Sequence, residues 1–399
     1  MESYYLDWAN LLLRWVHVIA VIAWIGSSFY FVFLDSSLTP AQDENLKKKG
    51  VSGELWAVHG GGFYHPVKFN VSPPELPQQL HWFYWEAYST WLSGFALFTV
   101  SYLWSANTYL IDKSLMDWSA PTAISVALSF LVLFWLAYDA ICRVFGQRKH
   151  GELMVGVLVC ALVSLAAWAA CHWFAGRAAF LLVGAMLATS MSANVLFWII
   201  PGQKKVVAQI RAGETVDAVH GKRGKQRSVH NTYFTLPVVF AMLSGHYSFT
   251  YGHPQNWLVL ILMMLAGALI RKFFVMRHGH KLGRNGNPLP FALGGMALVG
   301  ALIVSLQPAK STPGAAAPKA VTYAELQAVL AQRCYLCHGE LVQMKNVRLD
   351  SKQHVKAYAQ YMYQQAVVQR LMPLNNATGI TETERALIKT WFETGARVD

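Results

Sequence analysis

The stretch LLRWVHVIAVIAWIGSSFYF, residues 12–31, decides what kind of protein this is. It carries one Arg and one His among apolar and small side chains, over a length that a helix rising ~1.5 Å per residue needs to cross a bilayer core of ~30 Å. It reads either as a cleaved leader or as a retained span. The preceding MESYYLDWAN holds two acids and no Lys or Arg before Arg14, whereas a secretory leader opens with a basic segment. The expectation is a retained span over 8–34.

Seven further apolar segments follow, at 84–110, 120–142, 153–174, 178–200, 230–250, 255–276 and 289–307. The chain is therefore expected to be all-α, a polytopic membrane helix bundle of about eight transmembrane helices within residues 1–307. Composition agrees: 54% of residues are hydrophobic and 14% charged, well below the usual quarter. Fifteen Trp and seventeen Tyr suit aromatic belts at two membrane interfaces. The net charge of +12 could suggest nucleic acid, but most of it lies in short loops between apolar runs, so no nucleic-acid partner is expected.

Alternate loops carry the basic residues: Lys47, Lys48, Lys49 and Lys68; Arg143, Arg148 and Lys149; Lys204 to Arg227; and Arg271 to Arg284. The intervening loops hold little beyond Lys113 and Arg177. Lys and Arg mark the cytoplasmic side. An even number of spans then puts both termini outside, in a multi-pass protein of the bacterial inner membrane.

Near the C-terminus stands QRCYLCHGEL, residues 332–341. Its CxxCH is the pattern by which a c-type haem is attached. Cys142, Cys160 and Cys171 lie in or beside apolar segments, where Cys serves as a small hydrophobe. A zinc site would want four ligands, and no second Cys/His pair stands nearby. A redox dithiol leaves His338 unexplained. Residues 308–320, rich in Pro and Ala, read as a linker. Residues 321–399 read as a small class I cytochrome c domain with one covalent haem c. Cys334 and Cys337 would supply the thioethers, His338 the proximal ligand and Met372, in a Pro-bounded loop, the distal one. Met344, Met362 and His354 are alternatives. Thr381 and Glu384 have capping-box spacing ahead of a helical pattern. Attachment of haem c occurs outside the cytoplasm, which places the C-terminus where the basic loops place it.

Ionisable and amide side chains within spans are functional candidates, because burying them in lipid is costly. His81, Glu86, Asp139, Asn194, His230 and Asn231 fall toward the cytoplasmic ends, where VHGGGFYHP adds His59 and His65 around three glycines as a possible lid. Arg14, His17 and Trp24 lie higher in the first span. Each has a structural alternative: a snorkelling Arg14, a packed His17, a helix-capping His230 and Asn231, or Glu86 and Asp139 paired with loop cations. His246 fits a haem ligand or an interfacial residue.

LLRWVHVIAVIAWIGSSFYF, ELWAVHGGGFYHPVKF, LHWFYWEAYSTWLSGF, HNTYFTLPVVFAMLSGHY and the tail CYLCHG…LMPLNNATGITETERALIKTWFETGA together resemble the bacterial membrane-bound, cytochrome-c-linked urate oxidases. The resemblance covers essentially the whole chain. It implies oxidation of urate to 5-hydroxyisourate, with electrons passed to cytochrome c and on to a respiratory oxidase or a soluble cytochrome c. Our own expectation places urate among His81, Glu86, His230 and Asn231 under the glycine loop, or in a deeper pocket using Arg14, His17 and Trp24. The rivals are a b/c-type membrane electron carrier or quinol-oxidising subunit, with haem b on His17 and His246, and a transport or anchoring domain.

Overall fold

The computed structural model describes residues 2–69, 73–307 and 321–398. The 308–320 linker lies outside the described residues. In order, the chain forms α1 (Glu2–Ser37), a short α2 (Glu44–Lys48), four strands β1 (Val51–Glu54), β2 (Ala57–His59), β3 (Gly62–Tyr64) and β4 (Val67–Phe69), then α3 (Trp85–Phe98) and α4 (Ala106–Tyr109). The bundle continues with α5 (Ala120–Phe145), α6 (Gly151–Trp173), α7 (Gly176–Asn194), α8 (Ile200–Arg211), α9 (Ala218–Leu243), α10 (Ser248–Tyr251), α11 (Asn256–Lys281) and α12 (Leu289–Ser305). A C-terminal module holds α13 (Tyr323–Arg333), α14 (Tyr335–His338), α15 (Lys352–Tyr363) and α16 (Glu382–Glu393).

The eight apolar segments are largely helical, but against the eight spans expected, five helices among the described residues are long and apolar enough to cross a membrane. These are residues 4–37, 120–145, 151–173, 176–211 and 256–281, with α12 a shorter apolar helix. The segment 84–110 is interrupted: α3 passes into a π turn at Thr99–Leu103, and a break at Ser105 precedes α4. The segment 230–250 comprises the apolar second half of α9, whose first half is basic, then a 3-10 turn at Ser244–His246 and the start of α10.

α7 lies at the centre. Ala178, Ala179, Phe180, Leu182, Val183 and Met186 are all fully buried, as expected of a helix apolar on every side. Small residues set the helix spacing: a Cβ at Gly184 would stand 2.8 Å from Ala241 of α9. Pro237 lies inside α9, and Gly267 of α11 packs beside it, where an added Cβ would stand 3.2 Å from Leu236 Cβ. α1 sits at the periphery with Leu12, Trp15, Ile19 and Ile22 exposed.

The glycine loop is ordered as β structure. β2 and β3 pair antiparallel with His59 opposite Gly62, and Gly60 and Gly61 make the turn at φ of 58° and 80°. A two-residue hairpin loop with both φ positive is the geometry glycine favours. β1 and β4 form a second ladder, with Glu54 opposite Val67.

The module has its own core of Leu326, Leu330, Val355, Ile388 and Trp391. Thr322 with Glu325 and Thr381 with Glu384 both form complete capping boxes, the second as its spacing predicts.

Candidate functional site

A cavity of about 1990 Å³ opens between the bundle and the C-terminal module. α1 contributes Asp7, Asn10, Arg14, His17, Val21 and Trp24, a spacing of three and four that marks one helix face. α3 adds Thr90, Trp91 and Gly94, and α7 adds Arg177 and Thr189. Met242 and His246 come from the end of α9 and just beyond it. The C-terminal module supplies the remaining wall, with Cys334, Cys337, His338 and Met372. Asn375 Nδ2 donates to the Thr108 carbonyl at 2.5 Å, and Leu371 packs against the bundle core. These contacts hold the module over the end of the bundle.

Two guanidinium groups face this space without a carboxylate partner among the described residues. Arg14 donates through Nε and Nη2 to Asn10 Oδ1, at 3.3 and 3.1 Å. Arg177 Nε is buried with no hydrogen-bond partner. Gly245 makes room for it, since a Cβ there would come within 3.3 Å of that nitrogen. Unpaired cations in a partly apolar cavity favour an anionic occupant.

The tautomer of His17 follows from its neighbours. Ser93 Oγ donates its single hydrogen to the Ser89 carbonyl at 2.6 Å. It therefore accepts from His17 Nδ1–H at 3.1 Å, which leaves Nε2 with its lone pair free. Such an imidazole can take a proton from a bound ligand. Trp91 donates from Nε1 to Thr189 Oγ1 at 3.1 Å and stacks on Phe95, which fixes an aromatic wall.

On the module side, His338 Nδ1 donates to the Val347 carbonyl at 3.2 Å. Its Nε2 is the nitrogen left free for a metal, the usual arrangement of a histidine ligand. Cys334 caps the start of α14 and Cys337 lies within it, and the His338 N–H donates to the Cys334 carbonyl at 2.9 Å. Buried Arg385 donates to the Met372 carbonyl at 2.8 Å and also to the Ala366 carbonyl, which anchors the methionine loop. Met362 lies in the module core, and His354 is bound to Ser351 Oγ at 2.9 Å. Among the described residues no three His, Cys, Asp or Glu side chains stand together as a metal site.

The other expected residues lie elsewhere, and none lines the large cavity. His230 Nδ1 meets the Tyr138 hydroxyl at 2.8 Å. Asn194 donates to Tyr138 Oη at 3.0 Å and to Asn231 Oδ1 at 2.9 Å. Asn231 in turn donates to the Met191 carbonyl at 3.0 Å. Beside them, Asp139 accepts from Arg227, Arg143 and Trp198 Nε1, at 2.6, 2.6 and 2.7 Å. His81 edges against Phe83, and Glu86 opens α3. His59 ends β2. His65 pairs with Glu54 at 2.6 Å and stacks on Trp56. The structure thus gathers His230, Asn231 and Asn194 into one packed network, and Arg14, His17 and Trp24 into the cavity. Arg177 and Gly94 were not singled out from sequence; the available signal was an arginine opening an apolar run with no acid nearby.

No curated protein and no solved structure matches the chain. The family model described as urate oxidase N-terminal matches residues 3–306, three-quarters of its length. The chain belongs to the urate oxidase N-terminal family.

Proposed function

We propose that this protein is a membrane-bound urate oxidase that converts urate to 5-hydroxyisourate in the large cavity and passes the electrons to a c-type haem on its own C-terminal module. One observation carries the reading: the cations and histidine of the bundle and the CxxCH of the module line the same cavity. This favours the deeper of the two expected pockets, built on Arg14, His17 and Trp24. It also removes the need for electrons to cross the bundle. The exposed apolar face of α1 and the five long apolar helices support a membrane setting, and the basic loops support a periplasmic module.

Arg14 and Arg177 hold the urate anion through charge-assisted hydrogen bonds. Trp91 offers a flat surface to the purine. One urate and one water yield one 5-hydroxyisourate, two protons and two electrons, and His17 Nε2 is placed to take a proton. Cys334, Cys337, His338 and Met372 would hold the haem, which supplies a one-electron acceptor whose potential His/Met ligation raises.

The test is anaerobic addition of urate to the purified protein. Reduction of the c-type absorbance with no quinol or partner present supports the reading, and a spectrum that stays oxidised overturns it. A second reading, with a b-type haem on His17 and His246, draws on the fact that both rings line the cavity. Haem quantification separates the two. One covalent haem per chain supports the first reading, and an additional extractable haem supports the second.

A further inference from the structure

At the opposite end of the bundle, a smaller pocket of about 100 Å³ opens between α8 and α9. Its lining includes Trp198, Gly202, Lys205, His220 and Arg223. The indole of Trp198 is ringed by three guanidinium groups, with Arg143, Arg227 and Arg223 at 5.0, 5.1 and 5.8 Å from its centroid. One carboxylate, Asp139, lies among them, and its oxygens are taken by Arg143, Arg227 and the indole N–H. Arg223 and Lys205 form no ion pair among the described residues, and Asp217 stands 3.9 Å from His220 of the lining. Gly202 keeps the pocket open, since a Cβ there would come within 3.3 Å of the His220 carbonyl.

From the geometry we infer that this pocket binds a phosphate-type oxyanion, held by Lys205 and Arg223 beside Trp198, whose face is covered by guanidinium groups. Its volume is ample for one tetrahedral oxyanion. Charge-assisted bonds from a guanidinium and an ammonium are the usual means of holding phosphate. The packed Asp139 cluster behind Trp198 keeps the floor rigid while leaving Arg223 free. Two sources share this chemistry: the headgroup phosphate of an anionic lipid and free inorganic phosphate. A lipid source rests on the bundle crossing a membrane, as proposed above, with this end in the anionic leaflet that attracts basic segments. A free-phosphate source does not need that setting.

The test uses the full-length holoprotein and reads its thermal unfolding midpoint. One arm compares phosphatidylcholine vesicles with phosphatidylcholine–phosphatidylglycerol vesicles; the other adds millimolar inorganic phosphate in detergent. A ligand at about 100 times its dissociation constant raises the midpoint of a chain this long by about 3 °C. The K205Q/R223Q variant should lose that rise. K204Q/K222Q removes the same charge from residues outside the pocket lining and should keep it. A rise only in anionic vesicles identifies a lipid, and a rise with inorganic phosphate identifies the free ion. No rise in either arm, or a rise that survives equally in both variants, overturns the proposal. Because urate-driven haem reduction is not the readout, failure here leaves the oxidase reading untouched.

Discussion

At Gly94 a missing side chain keeps a neighbour in place. A Cβ there would stand 2.7 Å from His17 Cε1, far inside van der Waals contact, so Gly94→Ala must push the imidazole off its Ser93 bond. The expected outcome is a loss of about 10²-fold in urate-driven haem reduction, the scale of one general base, with the fold retained. Stopped-flow absorbance checks it, and an unchanged rate would remove His17 from the chemistry. Arg14 and His17 were legible in the sequence because ionisable groups inside an apolar run stand out. Their convergence with Arg177 and His246 was not, since hydropathy gives a residue's depth along the bundle and not the direction its helix face turns. His81, Glu86 and His230 share a level by that measure. Yet His230 turns to Tyr138 and His81 to Phe83.

Among the elements, the junction of α5, α9 and the π turn at Val195–Ile199 depends on one acid. Asp139 neutralises Arg227, whose side chain is 3% exposed. Asp139→Asn leaves that guanidinium buried without a counter-charge, a loss of about 3–5 kcal/mol. The unfolding midpoint should fall accordingly, and D139N/R227M should recover part of the loss. In the module, burial works against the charge on Glu384, but the Thr381 N–H and Arg333 outweigh it and hold the pKa below its ordinary 4.5. A depressed acid adds stability above its unfolded pKa and loses it as pH falls through the folded value. The module should therefore weaken as pH drops below about 4.5, and Glu384→Gln should flatten that acid limb of a pH–stability curve by circular dichroism. The capping box that places Glu384 was readable from Thr381 onward. The hairpin at Gly60–Gly61 was not, because strands of three residues are too short to show an alternating pattern.

For the molecule as a whole, the module meets the bundle at Thr108 and through Leu371, so on the proposed reading donor and acceptor lie within one chain. Urate-driven haem reduction should accordingly be first order, with a rate unchanged when the protein is diluted a hundredfold (about two decades, ample to expose a bimolecular step). A rate that falls with dilution would mean that electrons pass between molecules. The helical architecture was largely legible, because runs of apolar residues at bilayer length leave few alternatives. The seating of the module was not, as it depends on the Met372–Asn376 loop meeting a single carbonyl on α4. That seating sets a rhythm. On the proposed reading, two electrons leave the substrate but the adjoining wall accepts them singly, so it must be emptied from outside between the first and the second. The pace of turnover would then belong to the external oxidant, and surplus urate would wait its turn without hastening it.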